Sequence, residues 1–120
     1  MTPAWPAVIV GVGGAAGAVA RHVVSTLVDV ESYPLGTLTV NVLGSFLLGL
    51  VAFGGLARPY GLLLGTGAAG SFTTFSSFSF ETVRLWETGE RVRAVVNGAS
   101  TLLGSLLALW VARVLTIWLA

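Results

Sequence analysis

Thr37, Asn41 and Ser45 stand four residues apart, and Asn97, Thr101 and Ser105 repeat that spacing nearer the end of the chain. Side chains four apart share one helical face, so each trio forms a stripe, and Gly49 extends the first. Their amides and hydroxyls offer N–H and O–H donors. In an apolar setting, two such stripes could line a path on which a small anion exchanges its water shell for protein donors. The same side chains also hold helices together in lipid, and the residues alone leave both readings open.

A second concentration of chemistry runs Gly70-Ser71-Phe72-Thr73-Thr74-Phe75-Ser76-Ser77-Phe78-Ser79-Phe80, nearly all hydroxyl and phenyl side chains. Phenyl edges are the positive part of the ring quadrupole and suit an anion. β-Branched Thr73 and Thr74, following Gly70 and Ser71, lower helix propensity. A broken membrane helix is viable only where its freed backbone groups meet protein, water or an ion. The composition therefore predicts a break within 70–74. A continuous helix whose Ser and Thr bond back to the preceding turn is the alternative. Of the ionisable groups, Arg21 could concentrate anions at a mouth and Glu81 could guard or gate an exit, or the two could be plain helix-end charges. His22 alone is no ligand set, and Arg113 can snorkel to the interface.

The elements that must position these groups follow from composition. Of 120 residues, 55% are hydrophobic and 9% charged, with no Lys and six Arg, too few charges to keep so short a chain dissolved. The solvent is therefore lipid. Turn formers and charges cluster at Asp29-Val30-Glu31-Ser32-Tyr33-Pro34, at Ala57-Arg58-Pro59-Tyr60-Gly61 and at Glu87-Thr88-Gly89-Glu90-Arg91. These cuts leave four spans, at Ala7 to Val28, Leu35 to Leu56, Leu62 to Trp86 and Val92 to Leu119, each near the length that crosses a bilayer. The expected fold is an all-α multi-pass membrane protein, one domain over 1–120, with the third helix broken in mid-membrane. Small-residue steps at Gly13 to Gly17, at Gly61 to Gly65 and from Gly104 through Ala108 to Ala112 predict close helix contacts. Ala18-Val19-Ala20 has the form of a signal-peptidase site, but no Lys or Arg precedes it, so Met1 to Ala20 reads as a mature helix.

Loop charge is nearly balanced, with Arg58 on the side of the chain ends and Arg84, Arg91 and Arg93 on the other. So slight a bias permits insertion in both orientations as well as in one. The net charge of +1 excludes a basic nucleic-acid footprint, and zero Cys excludes disulfides and thiolate chemistry. No nucleophile, base and orienting acid occur together, so no enzyme is expected. A small proton-coupled multidrug exporter of four helices is the competing transporter, but it needs an early membrane carboxylate; the first span has none, and Glu81 is the only candidate. Donor chemistry alone does not tell one small anion from another.

Three motifs resemble the small fluoride channels of the Fluc or CrcB family. Gly13-Gly14-Ala15-Ala16-Gly17-Ala18-Val19-Ala20-Arg21 is similar to the family's first-helix signature, Gly36 to Phe46 to its second and Gly70 to Glu81 to its third, in the same order and over nearly the whole chain. The resemblance implies an antiparallel, dual-topology homodimer in the cell membrane that lowers cytoplasmic fluoride by passive efflux through two pores. It carries pore roles onto Asn41, Phe75 and Phe78, with Thr37, Thr101 and Ser105 alongside, and suggests Arg21 at a vestibule and Glu81 near one pore end. It also implies a central structural sodium ion on the backbone carbonyls of Gly70 and Thr73. The sequence departs from the family pattern at Ser71, at Ser77 and at Asn97, where the family commonly has Gly, Thr and a pore-facing Tyr.

Overall fold

Trp5–Val28, Leu35–Phe53 and Arg91–Leu119 are the first, second and last helices, each long and apolar enough to cross a membrane. They belong to a computed structural model that describes residues 3–28 and 30–120; Met1, Thr2 and Asp29, which opens the first expected turn, lie outside the described residues. The first helix begins at Trp5 rather than Ala7, since Pro6 falls in a first turn that needs no N–H from it. The second stops at Phe53 rather than Leu56. Gly54 N–H closes the last turn on Leu50 O at 2.9 Å, and Gly55, at φ +65°, enters the left-handed region that ends helices.

The expected third span, Leu62 to Trp86, is two helical pieces. The first half covers 58–72: Arg58–Tyr60 is α-helical with Pro59 in its first turn, Gly61–Ala69 is π-helical, and Gly70–Phe72 is a final α turn. The second half is Phe75–Glu87. Between them Thr73 (φ −81°, ψ 160°) and Thr74 (φ −147°, ψ 124°) are extended. The break is therefore narrower than 70–74, because only the two β-branched residues leave the helix and Gly70 to Phe72 remain in it. The turn expected at 57–61 is shorter as well, since Arg58 already starts a helix.

Glycine sets how the first half sits on the first helix. A Cβ on Gly13 would collide with the Leu63 carbonyl oxygen, one on Gly17 with the Ala68 carbonyl oxygen, and one on Gly67 would lie 2.7 Å from Val10 O. Backbone thus meets backbone across this contact. A Cβ on Gly61, expected as part of a packing step, would meet nothing within 4 Å; Gly65, against Val51, and Gly67 do that work. The last helix packs on the second, where a Cβ on Gly49 would meet Ala112 Cβ at 2.7 Å, and Val40 and Ala112 are fully buried. Gly17→Ala should lower the melting temperature of the purified protein, with a cost of about 1–3 kcal/mol for overpacking a rigid backbone contact. An unchanged melt would mean that this contact yields easily.

Candidate ion-conducting site

The break is held from the second helix. Asn41 Nδ2 donates to Thr74 O at 2.9 Å, and Thr74 N–H donates to Asn41 Oδ1 at 2.8 Å. One buried amide therefore satisfies both backbone groups of a residue that has left its helix. Close packing allows the reach, since a Cβ on Gly44 would run into the Thr73 side chain and lie 3.2 Å from Phe72 Cδ1. Thr74 also caps the second half-helix: its Oγ1 accepts from Ser77 N–H at 3.2 Å and donates to Ser77 Oγ at 3.2 Å.

Diverting these donors frees carbonyls. A continuous helix would give Gly70 O the Thr74 N–H and Thr73 O the Ser77 N–H, but those donors go to Asn41 and to Thr74 Oγ1. Gly70 O keeps a long approach from Thr73 Oγ1 at 3.5 Å, and Thr73 O accepts from Arg21 Nη1 at 3.3 Å. Arg21 is thereby placed at the break rather than only at a mouth. Among the described residues no group of three or more His, Cys, Asp or Glu could hold a metal, so any cation here would rely on backbone oxygen.

Glu81 stands where the polar residues reach the surface. Thr37 Oγ1 donates to Glu81 Oε1 at 2.9 Å, and Glu81 helps to line a recess of about 510 Å³ with Glu31, Tyr33, Arg84, Glu90 and Arg93. Arg93 closes one side, bonded to Ser32 O at 3.0 Å and paired with Glu90 at 2.8 Å. The run from recess to Glu81, Thr37, Asn41 and the break follows one face of the second helix. Ser45, next in that stripe, is half-buried.

Phe75 and Phe78 stand beside the break with ring centroids 5.9 Å apart and planes tilted by 46°. Phe75 is 79% exposed on the single chain, whereas Phe78 is half-buried. On the last helix Asn97 and Thr101 are buried and Ser105 half-buried. Asn97 Nδ2 donates to Thr82 Oγ1 at 2.9 Å. Thr82 and the capping role of Thr74 are absent from the residues singled out in the sequence. Thr74 carried a readable signal, a Thr three residues before Ser77 at the start of a helix; Thr82 carried none.

The model of the family described as CrcB-like protein, Camphor Resistance (CrcB), matches residues 8–113. The chain belongs to this family. A protein of Haloarcula marismortui named "Fluoride-specific ion channel FluC 2" is 52% identical over 104 residues, covering 87% of each chain. One of Halobacterium salinarum, named "Fluoride-specific ion channel FluC 1", is 46% identical over 110 residues, 92% of each. A third, from Methanocaldococcus jannaschii and named "Fluoride-specific ion channel FluC", is 40% identical over 91% of this chain and 92% of its own. The CrcB match takes in the glycine contacts of the first helix, the break and the buried stripe of the last helix.

Proposed function

We propose that the chain is one subunit of a passive fluoride channel in the cell membrane, not an enzyme, formed by two copies in antiparallel orientation with four crossings each. The observation that carries the reading is the exposed face of the broken segment. Phe75 is 79% exposed, with Ser76 and Ser77 exposed beside it, in a chain otherwise built for lipid. Hydroxyls and an interrupted backbone are costly against hydrocarbon, so a second copy is the natural cover. In this reading 58–87 makes one broken crossing. Fluoride passes along Thr37, Asn41, Phe75, Phe78, Thr101 and Ser105, with Glu81 at the recess and Arg21 supplying positive charge. The names of the relatives supply the ion, since donor chemistry suits chloride too.

A sodium ion fits the break. The carbonyls of Gly70 and Thr73 have lost their helical N–H partners, and oxygen donors are what a hard monovalent cation takes. When bound, the ion would satisfy these oxygens and add positive charge that favours anions nearby. Two copies meeting at their breaks would offer four carbonyls. The exporter reading has less support: Glu81, its only candidate proton carrier, lines an open recess and accepts a bond from Thr37.

Purified protein in liposomes should release fluoride with chloride as the competing anion, and equal release of both would defeat the selectivity. Cysteines placed in the Arg58 and Gly89 turns should each be labelled from both sides of intact cells. Strictly one-sided labelling of each would sink the antiparallel pair.

A further inference from the structure

The last helix buries two polar atoms that the pairs above leave over. Asn97 is 1% exposed and Thr101 8%, and neither Asn97 Oδ1 nor Thr101 Oγ1 has a hydrogen-bond partner among the described residues. Chemistry decides which way the Asn97 amide points. Thr82 Oγ1 lies 2.7 Å from Phe78 O, which can only accept, so the single hydroxyl proton of Thr82 goes there. Toward Asn97, at 2.9 Å, Thr82 can then only accept, and the near atom of the amide must be its NH2. The other end is an amide oxygen, an acceptor without a proton. Thr101 follows one helical turn later on the same face.

An amide oxygen is a poor neighbour for an anion, yet this one is buried in the stripe that the channel reading assigns to fluoride. Buried polar atoms left over in this way are commonly met by ordered water. We propose that Asn97 Oδ1 and Thr101 Oγ1 hold a water molecule, and that fluoride passes this turn with that water as its donor. The water accepts from the Thr101 hydroxyl, gives one proton to Asn97 Oδ1 and turns the other toward the path, so an acceptor is presented to the ion as a donor. Fluoride thus keeps one hydrating molecule where the protein offers few N–H groups. The inference rests on the fluoride reading for its role, and on the buried amide alone for the site.

The test combines crystal structures that show ordered water with fluoride efflux from liposomes, for the wild type, Thr101→Val, Thr101→Ser and Asn97→Leu. The wild type should show a water peak bridging the two oxygens. Thr101→Val and Asn97→Leu should lose the peak, and efflux should fall by about tenfold or more, the size of one lost hydrogen bond to a charged group. Thr101→Ser should keep it. Asn97→Leu also removes the bond to Thr82; if that variant fails to fold, Thr101→Val, nearly isosteric and breaking no bond to another described residue, decides the matter. A wild-type structure without the peak overturns the site, and unchanged efflux after the peak is lost overturns its role. Wild-type protein that holds the water but conducts no fluoride would instead overturn the channel reading.

Discussion

Fluoride efflux from liposomes carrying Asn41→Asp should fall by at least about a hundredfold, beyond the loss expected for one neutral hydrogen bond. In the native protein the Asn41 amide donates to Thr74 O at 2.9 Å and accepts from Thr74 N–H at 2.8 Å. A carboxylate keeps the second bond but sets an anion against the Thr74 carbonyl. It thereby orphans a buried acceptor, at about 1–3 kcal/mol, and places a fixed negative charge beside the anion path. Asn41→Leu separates the two effects, since it removes the clamp without adding charge. Leu should lower the melting temperature as well as the flux, because both Thr74 backbone groups lose their partner. If Asn41→Asp passed fluoride at the wild-type rate, the path would have to lie elsewhere.

Exchanging sodium for a large organic cation should lower the melting temperature of the purified protein and silence fluoride flux. A structural ion at a hundredfold excess over its dissociation constant adds about 2.7 kcal/mol of stability, which is lost when the ion is withdrawn. The oxygens at stake are the carbonyls of Gly70 and Thr73, whose helical donors are engaged by Asn41 and Thr74. Arg21, 3.3 Å from Thr73 O, offers that carbonyl a partner from within the chain, so the loss should weaken the protein rather than unfold it outright. Returning sodium should restore both readouts. Unchanged melting and unchanged flux in sodium-free buffer would remove the ion from this account.

What the sequence determined is local and energetic. Apolar runs separated by turn formers set the three uninterrupted helices to within a few residues, because backbone groups in lipid must be satisfied inside the segment that carries them. Thr73 and Thr74 located the break by the same logic, since β-branched residues fit extended backbone and a cap was present to restart the helix. The four-residue stripes announced which faces are polar. Only the tertiary structure decided what those faces meet. Asn41 finds its partner 33 residues away, Thr37 finds Glu81 44 residues away, and Arg21 finds Thr73 52 residues away. Such pairings depend on how far each helix is rotated and how closely it approaches its neighbour. Bare backbone at Gly13, Gly17 and Gly67 sets that approach, while a side chain at Gly61, equally a glycine in the sequence, would point into open space. Periodicity names a face, but the distance between two helices is a property of both surfaces together, and neither surface is legible alone.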